Sequence, residues 1–167
     1  MLYYNADIVT MNADRHIIAD GAILVKDNRI ADIGKTKALK EKYPEEESFD
    51  FGGKLVIPGL IDTHVHLAQS LLRGCADDKE LIQWLCERVW VLQGCFEKDD
   101  GYVAARLCIA EMLKSGTTTF LEAMCADRYN FSRVADAVDE SGIRACLVSE
   151  KTIVFLLVRV HDPTMFS

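Results

Sequence analysis

Leu55-Val56-Ile57-Pro58-Gly59-Leu60-Ile61-Asp62-Thr63-His64-Val65-His66 is the stretch on which the fold turns. Five apolar residues, Leu55, Val56, Ile57, Leu60 and Ile61, lead into two histidines spaced i, i+2. On a β-strand those two positions share a face, so His64 and His66 can turn both imidazoles toward one point. Imidazole is the commonest neutral metal ligand and suits zinc, iron or nickel. Pro58-Gly59 is a turn signal. The stretch therefore predicts a bend, a short buried strand, and two candidate ligands at the strand's carboxyl end. A bare His-x-His also arises on ordinary exposed strands, and that reading stands beside the metal reading. The context favours metal, because these are two of only four histidines and they follow Pro-Gly, an apolar run and Asp62.

Outward from this stretch the totals narrow the choices. A chain of 167 residues, half of them hydrophobic, can bury one ordinary core, or a small one and part of another. A net charge of −7 disfavours nucleic-acid and anionic-membrane partners. No apolar run approaches the ~20 residues that span a bilayer. The first residues show no secretory signal pattern. The six cysteines include no C-x-x-C pair. They read as reduced thiols on apolar positions in a cytoplasmic protein.

On the amino-terminal side, Asn5 to Met11, Gly21 to Lys26 and Arg29 to Gly34 read as strands, the last two joined as a hairpin by Asp27-Asn28. His16 reads as a surface-loop residue. Thr36 to Tyr43 reads as one or two helical turns ended by Pro44. Glu45-Glu46-Glu47 reads as a solvated charge run, and Phe51-Gly52-Gly53-Lys54 as a turn.

On the carboxyl side, Leu81, Trp84, Leu85, Val89 and Leu92 recur at helical spacing. Asp99-Asp100 opens a helix with Val103, Leu107, Ala110, Met112 and Leu113 as its apolar side, ended at Gly116. Thr117 to Leu121 is a strand, with Glu122 at its end. Phe131 to Val138 is a helix stopped at Gly142, and Ile143 to Val148 a strand. Strand–helix alternation at these lengths predicts a parallel α/β architecture. A flavodoxin-like binding domain would need a Gly-rich phosphate loop after the first strand, and His64 to Ala68 is not one.

Pro58 to His66 resembles the opening signature of the metal-dependent amidohydrolase superfamily. Ser70-Leu71-Leu72-Arg73-Gly74, Ala76-Asp77-Asp78, Trp84-Leu85 and Ala110 to Thr119 are similar to the branch of methylthioadenosine/S-adenosylhomocysteine deaminases and triazine hydrolases. The resemblance covers roughly residues 3 to 148. It implies an α/β fold: the N-terminal part of a (β/α)8 barrel, about three strands, preceded by a small β-sandwich subdomain. The implied division is 1–56 for the incomplete sandwich, 57–149 for the barrel portion, and 150–167 as an unmatched tail. Barrel enzymes keep their chemistry at the carboxyl ends of the strands, which places the loop from Ala68 to Gly74 at the mouth.

The resemblance further implies a divalent metal, zinc foremost and iron as the alternative, with His64 and His66 as ligands. It implies hydrolysis of a C–N bond in a small heterocyclic amine, and homo-oligomers among the full-length relatives. Trp84 is either a core anchor or a substrate wall. Gln93 stands where adenosine-type deaminases carry a glutamate that grips the ribose. It is either a substrate contact or an exposed helix-end residue. The family's other ligands and acid/base groups come from later strands and find no match here. His161 and Asp162 are poor replacements, since adjacent side chains on an extended segment point opposite ways. The alternative expectation is thus a truncated, catalytically inactive chain or an interaction module, with three parallel strands leaving an open sheet edge.

Overall fold

Asp27 and Asn28 both adopt left-handed backbone, with φ 48° and 62°, and close a two-residue hairpin between β2 (Ile17–Lys26) and β3 (Arg29–Lys35). Two consecutive positive φ values match the right-handed twist of the strands they join. The computed structural model describes residues 1–149 and 156–158. The chain divides into two units, Met1–Pro58 and Gly59–Ser167.

In the first unit β1 (Leu2–Val9) runs antiparallel to β2 and parallel to β4 (Ser48–Val56), giving the order β3-β2-β1-β4. Helix α1 (Thr36–Lys42) places Leu39 against buried Leu2, Ala22 and Leu24. His16 is exposed, and its backbone N–H donates to Asn12 Oδ1 at 3.0 Å. Two local expectations are corrected. Phe51 to Lys54 is not a turn but a bulge inside β4: Tyr4 pairs with Asp50 and Ala6 with Lys54. Gly52 and Gly53 supply φ 63° and 75°, and Asp50 Oδ1 accepts the Gly52 N–H at 2.7 Å. Pairing on both sides of the bulge keeps the strand going where the local sequence says stop. Nor is the acidic run wholly solvated, because Glu46 meets Lys26 Nζ at 2.7 Å and the N-terminal ammonium at 3.3 Å.

The stretch from Leu55 to His66 divides differently from its sequence reading. Leu55 and Val56 end β4, paired with Asp7 and Ile8, and β5 (Leu60–Val65) begins only after Pro58-Gly59. The expected buried strand is largely exposed, at 51% for Leu60 and 69% for Ile61. Among the described residues β5 lies at a sheet edge, with β6 beside it.

In the second unit β5, β6 (Thr117–Cys125) and β7 (Arg144–Ser149) pair in parallel, and β8 (Leu156–Val158) lies antiparallel against β7. β8 thereby occupies the β7 edge that three strands alone would leave open. His161 and Asp162 lie outside the described residues. Helix α4 (Asp100–Ser115) follows β5 through a helical region, and α5 (Phe131–Ser141) links β6 to β7. Gly116 (φ 91°) and Gly142 (φ 74°) end the two helices in the left-handed conformation that suits glycine. Phe120, Leu147, Ile109, Val134 and Val138 form the heart of the core. The chain is thus a mixed α/β structure.

Two helical faces differ from expectation. On α4, Met112 is buried but Val103, Leu107, Ala110 and Leu113 are exposed, while Ala104, Ala105 and Ile109 face the core. The helix is apolar around most of its circumference, so spacing does not choose a side. Between Leu81 and Gly94 the helix is interrupted: α2 (Leu81–Trp84), a π-helical segment (Leu85–Val89), then α3 (Trp90–Gly94). Leu81 and Leu92 are exposed, and Val89 and Gln93 are buried. The cysteines also differ in part: all six are free, Cys125 is buried, but Cys86 and Cys95 are exposed. Among the described residues no helix is long and apolar enough to cross a membrane.

Candidate active site

Val65 explains where the two histidines go. It is the last residue of β5 and is buried in the core, 7% exposed. Alternation then turns His64 and His66 to the opposite face. His64 lies within β5, while His66 falls one residue beyond it and opens a 3-10 helix (Leu67–Leu72). Their ring centroids are 4.9 Å apart, edge to face. Asp62 Oδ1 accepts the His64 N–H at 3.1 Å and braces the strand end. Burial, and secondarily the neighbouring His64, hold His66 below the ordinary histidine range. The neutral ring, with one free lone pair, is its favoured form.

Glu122 lies across from this pair. It is level with Val65 in the β5–β6 ladder and only 2% exposed. Its Oε2 accepts the Leu67 N–H at 2.6 Å, and Oε1 lies 3.7 Å from His66 Nδ1. Sequence reading put Glu122 at the end of a strand but carried no signal for this clasp, because it joins residues 55 apart.

Two cavities meet at His66. One, of about 430 Å³, is lined by Asp62, His64, His66, Trp84 and Cys108 among others. Arg73 and Glu111 sit on its rim, joined at 2.7 Å. The other, of about 310 Å³, holds His66 with Gln93, Glu122, Arg128 and Tyr129. Trp84 and Gln93 are thus both brought to His66, on different sides. Trp84 is half-buried. Gln93 is 4% exposed, which removes the exposed helix-end reading. Arg128 and Tyr129 went unnoticed in the sequence; they sit in a three-residue 3-10 turn after β6, with no periodicity to mark them. Among the described residues no group of three or more His, Cys, Asp or Glu is placed to hold a metal ion.

A family model described as Amidohydrolase family matches residues 55–155, and one described as Imidazolonepropionase-like composite domain, bacteria, matches residues 21–45. The chain is 39% identical over 148 residues to a 5-methylthioadenosine/S-adenosylhomocysteine deaminase of Pelotomaculum thermopropionicum, covering 88% of this chain and 33% of that protein. It is 37% identical over 145 residues to a Bacillus cereus protein of the same name, covering 87% and 33%. Among solved structures it resembles guanine deaminase from C. acetobutylicum with bound guanine, at TM-score 0.75 and 24% identity, over 87% of this chain and 35% of that one. It also resembles atrazine chlorohydrolase from Arthrobacter aurescens complexed with zinc, at TM-score 0.73 and 21% identity, over 89% and 35%. The chain spans about a third of the length of the curated relatives it matches.

Proposed function

The chain belongs to the amidohydrolase family, whose model matches more than half of it, and on that premise we propose that it carries part of the active site of a hydrolytic deaminase. The reaction is cleavage of a non-peptide C–N bond in a small heterocyclic amine. The observation that carries this reading is the convergence of His64 and His66 at the end of β5, 4.9 Å apart. Relatives named as deaminases support the reaction class. In this reading β5 to β7 are the first strands of a (β/α)8 barrel, and β1 to β4 are part of a β-sandwich.

The donor set fits part of a metal shell. Two imidazoles share one face, and His66 favours its neutral form, which a ligand must have. His64 and His66 would hold a divalent ion, zinc foremost and iron as the alternative. Such an ion would supply Lewis acidity that lowers the pKa of a water molecule toward neutrality. The chain's own residues do the rest of what can be assigned. Trp84 offers a flat apolar wall to a heterocycle. Gln93 presents a buried amide with a donor and an acceptor to the second cavity. Val65 and Asp62 hold the strand end so that the two rings stay paired. The free cysteines suit a reducing compartment, so we place the protein in the cytoplasm.

A second reading is that this polypeptide alone does not turn over substrate. It is favoured by the ligand count: catalytic zinc sites use three protein ligands, and no third joins the pair among the described residues. Metal analysis and ammonia release from purine, purine-nucleoside and triazine panels separate the readings. Zinc is expected to bind the full chain and to weaken roughly tenfold or more in His64→Ala and His66→Ala. Unchanged zinc binding in the double variant would sink the metal assignment. Steady ammonia release would retire the second reading.

A further inference from the structure

We propose that Glu122 is a positioning residue for His66, selecting the ring form whose Nδ1 carries the proton and whose Nε2 lone pair is free for a metal. The inference rests on the reading of His66 as a metal ligand. Three observations lead to it. First, the carboxylate is almost wholly buried, at 2% exposure, and a buried charge costs several kcal/mol unless it is paired or hydrogen-bonded. Second, Glu122 grips both flanks of His66: Val65 is its ladder partner, and Leu67 donates its N–H to Oε2 at 2.6 Å. The backbone on either side of the histidine is therefore held, and the imidazole keeps only its side-chain torsions. Third, Oε1 lies 3.7 Å from Nδ1.

That distance is longer than a hydrogen bond, so the contact is a near approach in the metal-free chain. Bonds of this kind tighten when a site fills. A neutral imidazole has one N–H, and the partner of one nitrogen decides what the other can do. With an acceptor facing Nδ1, the proton sits there and Nε2 is left as the ligand. Carboxylate partners of ligating histidines act in this way.

A purely structural Glu122 would brace the backbone at Leu67 without setting the imidazole's proton, and Glu122→Gln distinguishes the two roles. Glutamine keeps an acceptor for the Leu67 N–H but can turn its NH2 toward Nδ1. The full, metal-free chain at mildly alkaline pH should show His66 in the Nδ1–H form by nitrogen-15 chemical shifts. In Glu122→Gln it should move toward the Nε2–H form, and zinc affinity by chelator competition should fall by roughly 10–100-fold. His66 in the Nε2–H form in the unmodified chain would overturn the proposal, whether or not the variant folds. A folded Glu122→Gln with unchanged tautomer and zinc affinity would overturn it too. If zinc binds equally well to His66→Ala, the metal reading fails instead, and the tautomer measurement still reports whether Glu122 sets the ring.

Discussion

Cys108 sits half-buried on α4 in the wall of the larger cavity, and burial pushes its thiol up to about 11, with Arg73 pulling the other way. The thiolate is the reactive form. At pH 8 a group with that pKa is about one part in a thousand thiolate. Alkylation with iodoacetamide followed by peptide mass analysis should therefore modify exposed Cys86 and Cys95 first. Cys108 should lag far behind and gain reactivity only as pH climbs toward 11. Early modification of Cys108 at pH 8 would contradict its burial. At this scale the histidine pair was legible, because a two-residue spacing has one meaning on a strand. Gln93 was not. The π-helical segment Leu85–Val89 accommodates an extra residue in its turn and shifts the phase of the helix beyond it. That brings Gln93 inward where regular spacing had chosen Leu92.

Helix α4 shows how elements compete with their own propensities. Gly101 lies in its first turn, where alanine would be favoured by about 1 kcal/mol on propensity alone. A Cβ there would collide with the Tyr129 carbonyl oxygen and come within 2.9 Å of Tyr129 Cβ. Backbone cannot move aside as a side-chain tip can, and overpacking of this kind costs about 1–3 kcal/mol. The overlap outweighs the propensity, so Gly101→Ala should lower the urea midpoint, with a net loss of about 1 kcal/mol. A rise in the midpoint would show that α4 and the turn at Tyr129 separate easily. The same helix explains an error of face. α5 separates charged and apolar sides strongly, and its apolar Val134 and Val138 are both buried. α4 is apolar nearly all round, and only its neighbours decide that Ala105 and Ile109 go inward and Leu107 outward.

Among the described residues there are two cores. Leu2, Ala22, Leu24 and Leu39 form one; Phe120, Leu147, Ile109 and their neighbours form the other, and the two share no residue. Leu24→Ala should cost about 2–5 kcal/mol, and Phe120→Ala about 3–5 kcal/mol. Hydrogen exchange should find the first loss in the amides of β1 to β4 and the second in β6, β7 and α5. Equal loss of protection everywhere in both variants would mean that the cores unfold as one. By itself the sequence determined the hairpin at Asp27-Asn28, the helix ends at Gly116 and Gly142, the strand–helix alternation, and the histidine pair. Each of these is set by a handful of adjacent residues through backbone sterics or periodicity. Tertiary structure alone decided the Gly52-Gly53 bulge, the buried face of α4, the inward Gln93, the exposure of β5 and the clasp of Glu122 on His66. Those outcomes depend on which distant backbone or side chain arrives opposite, and no local window contains that partner.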